Sequence, residues 1–207
     1  RGITFRDMPG PNTGFRDADA AALGERAALT GAVKVGDKVY LGDRLQGGVK
    51  VYRLIEREGT TEFSPTDEQY ALGDVGCLSM DENGAVYILD GTTVKTLSPN
   101  SPDVLQEIAK LPLEPSYVAV RKGMLYALHD GEHQIFVYDL KGGRLVRKLG
   151  EPGGSYAGTW RKMRLVNPLS LFFAPDGFLW VTENRQSPKR LTRWDVDKGE
   201  VVYEKLG

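Results

Sequence analysis

The hydrophobic positions of this chain fall into short alternating runs, not helical stripes. Four segments carry an aliphatic, an aromatic and then a small or aliphatic residue: Val39-Tyr40-Leu41, Val86-Tyr87-Ile88, Leu125-Tyr126-Ala127 and Leu179-Trp180-Val181. A glycine stands three or four positions before each aromatic (Gly36, Gly84, Gly123, Gly177), and a small residue stands ten before it (Thr30, Cys77, Ser116, Ser170). Three positions after each aromatic comes a polar side chain able to bond or ligate: Asp43, Asp90, His129 and Glu183. Each copy continues into another apolar run, Val49 to Tyr52, Val94 to Leu97, Ile135 to Tyr138 and Leu191 to Trp194. The last three copies add a further one, Val104 to Ile108, Leu145 to Leu149 and Val201 to Leu206. Period-two alternation bounded by glycine turns is the pattern of half-buried strands, and Asn83-Gly84 and Asp176-Gly177 are its strongest hairpin signals.

Four short strands repeating about every forty to fifty residues define a β-propeller blade. The predicted class is therefore all-β, a β-propeller with four recognisable four-stranded blades at approximately 29–58, 72–111, 112–150 and 167–207. A Gly, aromatic and basic insertion at 151–167 separates the last two. Ser101-Pro102-Asp103 reads locally as a capped helix start, but the repeat register places a fourth strand there. The first copy shows no convincing fourth strand, and Thr60 to Tyr70 reads as a connection. Residues 1–28 lie outside the repeat as an irregular segment with a short helix over Asp19 to Leu29. A closed four-bladed ring is one reading. Four blades of a larger ring is the one adopted, because no stray terminal strand supplies the closure that removes sheet edges.

Composition narrows the function classes. Lys and Arg number 27 against 28 Asp and Glu, a net charge of −1, which argues against gripping a nucleic-acid backbone by bulk charge. The 25 glycines and 11 prolines in 207 residues suit a chain that turns often. No apolar stretch approaches the roughly 20 residues of a membrane-spanning helix. No charged-then-apolar leader is visible at Arg1-Gly2-Ile3. The single cysteine, Cys77, has no partner in the chain and reads as a small packing residue, with no histidine placed to activate it.

The last copy carries a resemblance. Asn167-Pro168-Leu169-Ser170, Phe173-Ala174-Pro175-Asp176-Gly177, Leu179-Trp180-Val181-Thr182-Glu183-Asn184 and Lys189-Arg190-Leu191 resemble the NHL repeat. That repeat has a Pro-Gly start, an Asp-Gly turn, an acidic residue and Asn after the second strand, and an Arg-led third strand. Here Leu169-Ser170 replaces the glycine start and Glu183 replaces Asp. The resemblance implies a propeller of the NHL and lactonase-like group, usually six-bladed. It also implies that the strand 2–3 and strand 4–1 connections emerge on one face.

That implied face gathers the candidate binding residues Asp43, Arg44, Asp90, His129, Asp130, His133, Glu183, Asn184 and Arg185, together with Tyr156, Trp160 and Arg161 from the insertion. His129-Asp130-Gly131-Glu132-His133 holds both histidines and two carboxylates. Zinc and other divalent metals use such ligands, but a hairpin tip is also simply a solvated polar turn. Asp43, Asp90, His129 and Glu183 share one repeat column, which the lactonase-like resemblance turns into an alternative ligand set for an axial Ca or Zn. The structural reading of that column is a side chain that fixes its own turn by accepting backbone N–H bonds. The aromatic column is read as blade packing.

The sequence is thus read as a non-catalytic scaffold presenting a loop-rich face to a protein, peptide or glycan, with no cofactor and an extracytoplasmic location. The competing reading is a metal-dependent lactonase- or lyase-like enzyme using the acidic column.

Overall fold

The computed structural model describes residues 28–57, 60–98, 101–184 and 188–207, and every helix or strand among them is a β-strand. The expected helix over Asp19 to Leu29 and the candidate Arg185 lie outside the described residues. Among the described residues, sixteen strands form four four-stranded antiparallel sheets, each in simple sequential order, the blades of a β-propeller. The repeat glycines Gly36, Gly84, Gly123 and Gly177 all have positive φ (61°, 83°, 70° and 89°), the conformation that tight hairpins require.

Two compact units divide at Val75. The first holds β1 (Leu29–Val35), β2 (Lys38–Asp43), β3 (Gly48–Arg57) and β4 (Thr60–Ala71). Val39, Leu41 and Tyr52 pack with Ala32, Leu54 and Phe63 on one face of this sheet. Strand β4 corrects the expectation of a connection over Thr60 to Tyr70. Its twelve residues pair with β3, interrupted by a bulge opposite Lys50–Tyr52. The sequence TTEFSPTDEQYA is polar and contains Pro65, so it lacks an apolar run. As an edge strand it needs none, and an edge tolerates proline. Gly48 is required at the turn into β3, since a Cβ there would lie 2.3 Å from the Tyr70 carbonyl oxygen.

The second unit holds three blades. Their strands are β5 (Val75–Met80), β6 (Val86–Asp90), β7 (Thr93–Ser98) and β8 (Ser101–Lys110); β9 (Tyr117–Arg121), β10 (Met124–His129), β11 (Gln134–Asp139) and β12 (Leu145–Leu149); and β13 (Pro168–Phe173), β14 (Leu179–Glu183), β15 (Arg190–Asp195) and β16 (Glu200–Leu206). The repeat register prevails over the local helix signal, for Ser101–Lys110 is a strand. Tyr87, Leu89 and Val94 pack on Val118, Ala127 and Phe136 of the next blade, with Cys77 in the same cluster. Tyr126, Leu128 and Ile135 likewise pack on Leu171, Leu179, Val181 and Trp194 of the last. Burial pushes the Cys77 thiol up to about 12, and its sulfur accepts the Val118 N–H at 3.2 Å. A thiol so placed is a packing group.

A buried arginine organises the candidate binding face

Asp43, Asp90, His129 and Glu183 are the last residues of β2, β6, β10 and β14, one at the end of each second strand. In the first unit Asp43 Oδ1 accepts the N–H groups of Ala28, Leu45 and Gln46 at 3.1, 3.0 and 3.2 Å. It therefore closes its own turn and ties down the entry to β1. The adjacent Arg44 pairs with Asp74 at 3.1 Å on the surface. In the second unit Asp90 pairs with Lys95 at 2.7 Å, across the β6–β7 hairpin.

Glu183 is the column's most elaborate case. Its Oε2 accepts the Val166 N–H at 2.7 Å and its Oε1 accepts from Arg190 Nη1 at 2.9 Å. Both side chains are 0% exposed. They are also direct cross-strand partners in the β14–β15 register, so the hairpin itself aligns them. Arg190 continues outward. It donates to the carbonyls of Arg164 (3.1 Å) and Lys162, and to Glu204 Oε2 at 3.0 Å through Nε. Every donor edge of the guanidinium thus meets an acceptor, the condition under which a buried charge is tolerated.

This arginine fixes the connection 151–167. Glu151 N–H bonds the Met163 carbonyl at 3.0 Å, and Glu151 pairs with Arg161 at 2.9 Å. Arg164 donates to the carbonyls of Gly153 and Gly154 and lies over the Tyr156 ring at 4.6 Å, while the Tyr156 hydroxyl accepts the Arg161 N–H. Arg190 stacks on Trp160 at 5.1 Å, and Trp160 Nε1 donates to Glu204 at 3.2 Å. Trp160 nonetheless remains 42% exposed, and Tyr156, Arg161 and Lys162 lie near it in sequence on the same connection. The 25-glycine composition contributes one essential feature here. Gly154 (φ +36°) lies against the His133 ring, where a Cβ would come within 2.4 Å of Nε2.

The strand 2–3 turn of the preceding blade joins the same surface. Gln134 Nε2 donates to the Gly150 carbonyl at 2.7 Å, and the Asn167 N–H donates to His133 Nδ1 at 3.3 Å. His133 and Asn167 both adopt left-handed backbone (φ 56° and 47°), an uncommon conformation for residues bearing a side chain. Asn184 donates its N–H to the Asn167 carbonyl at 2.8 Å and accepts from Lys189. Asp130 accepts the Gly131 N–H at 2.9 Å and stays at the exposed tip.

His129 differs from the rest of its column. It is buried (2% exposed) and tilts against Phe136 at 4.4 Å, and neither ring nitrogen has a hydrogen bond of ordinary geometry among the described residues. Burial pushes its pKa below the usual histidine value. The Glu114 carbonyl, Glu132 and Asp130 oppose that push, and Lys148 reinforces it. The entry to its blade contains Pro115, which has no N–H to give, whereas Ala28 and Val166 supply donors in the first and last blades.

Among the described residues, no group of three or more His, Cys, Asp or Glu side chains is gathered as a metal site requires. The side chains that sequence reasoning missed are Arg190 and Gln134. Arg190 had a signal, because it opens the third strand of the NHL-like pattern directly opposite the acidic position.

Four sequential four-stranded sheets make this a β-propeller protein. No protein-family model matches the sequence, and no curated protein matches it either. Similar solved structures include Kuenenia stuttgartiensis hydrazine synthase, with a TM-score of 0.58 at 15% identity over 86% of this chain and 49% of that one. Virginiamycin B lyase from Staphylococcus aureus gives 0.54 at 16% identity over 85% and 55%. An auxiliary nutrient binding protein from Bacteroides thetaiotaomicron gives 0.57 at 14% identity over 87% and 42%. The chain spans about half the length of these proteins. At such identities the likeness is one of fold.

Proposed function

We propose that this chain is a non-catalytic binding scaffold whose loop-rich face takes a protein, peptide or glycan in an extracytoplasmic setting. One observation carries the reading. Asp43 and Glu183, the acids that an enzyme would aim at a substrate or metal, are committed to their own connections, while Trp160 keeps an exposed face on a connection bonded down by Arg190. A half-exposed tryptophan flanked by Tyr156, Arg161 and Lys162 has the chemistry of a binding anchor, and rigidity lowers the entropic cost of binding. The fold is compatible with binding and with catalysis, since solved propellers that this chain resembles include a lyase and a nutrient binding protein.

The test is to probe a glycan array and a displayed peptide library with the 207-residue chain and with a W160A/R161A variant. Ligands should lose at least tenfold in affinity for the variant. Ligands indifferent to both substitutions, or turnover of a lactone substrate dependent on added Ca²⁺ or Zn²⁺, would overturn the proposal.

A further inference from the structure

Each blade of the second unit has two faces, and the repeat assigns them consistently. In the first two blades of this unit the face bearing the key aromatic looks toward the following blade. Tyr87 is buried against the third blade and Tyr126 against the fourth, where it meets Phe173 edge-on at 4.9 Å. The Tyr126 row crosses all four strands as Ala119, Tyr126, Val137 and Arg147. At its outer end Arg147 donates to the carbonyls of Val196 and Asp197 in the next blade's last hairpin.

The equivalent row in the last blade is Phe172, Trp180, Arg193 and Tyr203, each the direct cross-strand partner of the next, with a bulge immediately after Arg193. It is open. Phe172 is 50% exposed and Tyr203 47%, while Trp180 is half-buried beneath Tyr203, ring centroids 6.0 Å apart. The opposite face of this blade, with Leu171, Leu179, Val181 and Trp194, is already spent on the third blade. A terminal repeat ordinarily turns a polar outer face to water. This one keeps aromatics at three of the four positions in the row that its predecessors bury.

We propose that the Phe172–Trp180–Arg193–Tyr203 face carries a further four-stranded blade of the same repeat, supplied by a longer polypeptide. The occupant is identified by continuity: this is the next face in a series whose two preceding members are each covered by a blade. The chain also spans about half the length of propellers it resembles, with 49% and 55% of two of them matched. Tyr203, at the position of Arg147, would reach the last hairpin of the added blade.

The test compares the 207-residue chain with the product of the complete reading frame. Thr182→Cys places a reporter thiol in the neighbouring row of this face, and Cys77 is buried. Labelling should be at least tenfold slower in the complete product. Phe172→Glu should lower its melting temperature by roughly 5 °C or more and leave that of the 207-residue chain almost unchanged. Equal labelling rates in the two proteins overturn the proposal. So does a reading frame that closes at Gly207. In that case light scattering separates a dimer with a protected thiol, meaning that a second copy covers the face, from a monomer with a reactive one.

Discussion

Replacing Arg190 with methionine tests the organisation of the proposed binding face most directly. Methionine preserves much of the apolar stem and removes every donor. Glu183 would then be left fully buried without its guanidinium partner, and the Arg164 and Lys162 carbonyls would each lose a donor. Removing one partner of a buried pair costs about 3–5 kcal/mol, chiefly because the survivor's charge is uncompensated. Urea unfolding followed by tryptophan fluorescence suits the measurement, because all three tryptophans (160, 180 and 194) lie in the connection and the last blade. Hydrogen exchange across 151–167 should rise in parallel, since the arginine is what holds that connection down.

The diagnostic is a rescue. If the cost is an orphaned charge, adding Glu183→Gln to Arg190→Met should recover roughly 2 kcal/mol, although the double variant has lost both members of the pair. A loss below about 1 kcal/mol for R190M, or a double variant less stable than R190M alone, would refute the reasoning.

Other consequences follow from single side chains. Burial depresses the His129 pKa in the folded state, so the unfolded chain takes up the proton first as pH falls. Stability is therefore complete above about pH 6.5 and declines below it, by at most about 1.4 kcal/mol per pH unit, until the folded value is reached. His129→Leu should remove that component of the acid slope in pH-dependent urea titrations, and an unchanged slope would exclude His129 as its source. Lys122 is held at φ 49° with its N–H bonded to Glu82 Oε1 at 2.9 Å; Lys122→Asn should stabilise by about 0.5–1 kcal/mol in thermal melts, and a destabilisation would count against strain there. Cys77 should react with a thiol reagent only as fast as the unit unfolds, so rapid native-state labelling would contradict its burial. Excess Ca²⁺ or Zn²⁺ should shift the melting temperature by less than about 1 °C, and a rise of several degrees would return the acidic column to consideration as a metal site.

Much of the fold is legible in the sequence because a propeller blade repeats its constraints. The glycine before each aromatic is needed for positive φ, and Tyr87 and Tyr126 fill the contact with the next blade. The glycine–aromatic pattern recurs in every copy, where a single occurrence would be ambiguous. Strand β4 escaped detection for the complementary reason. An edge strand packs on one side only, so Thr60–Ala71 needs neither alternating apolar residues nor freedom from proline. Its pairing is fixed by β3, and no local pattern in its own residues records it.

The site was legible in its columns but not in its bonds. Position showed that Asp43, Asp90, His129 and Glu183 end their second strands. It could not show that Asp43 and Glu183 turn back onto their connections, because the donors, Ala28 and Val166, come from the opposite flank of the blade. His129 makes the same point from the other side. Where Pro115 withdraws a backbone donor, a carboxylate would be buried without its customary partner, and a neutral imidazole against Phe136 is the less costly occupant. The column is thus better explained by what each blade entry can donate than by a shared ligand. On the proposed reading, recognition falls to the connection carrying Trp160 between the last two blades, which Arg190 of the repeat holds in place.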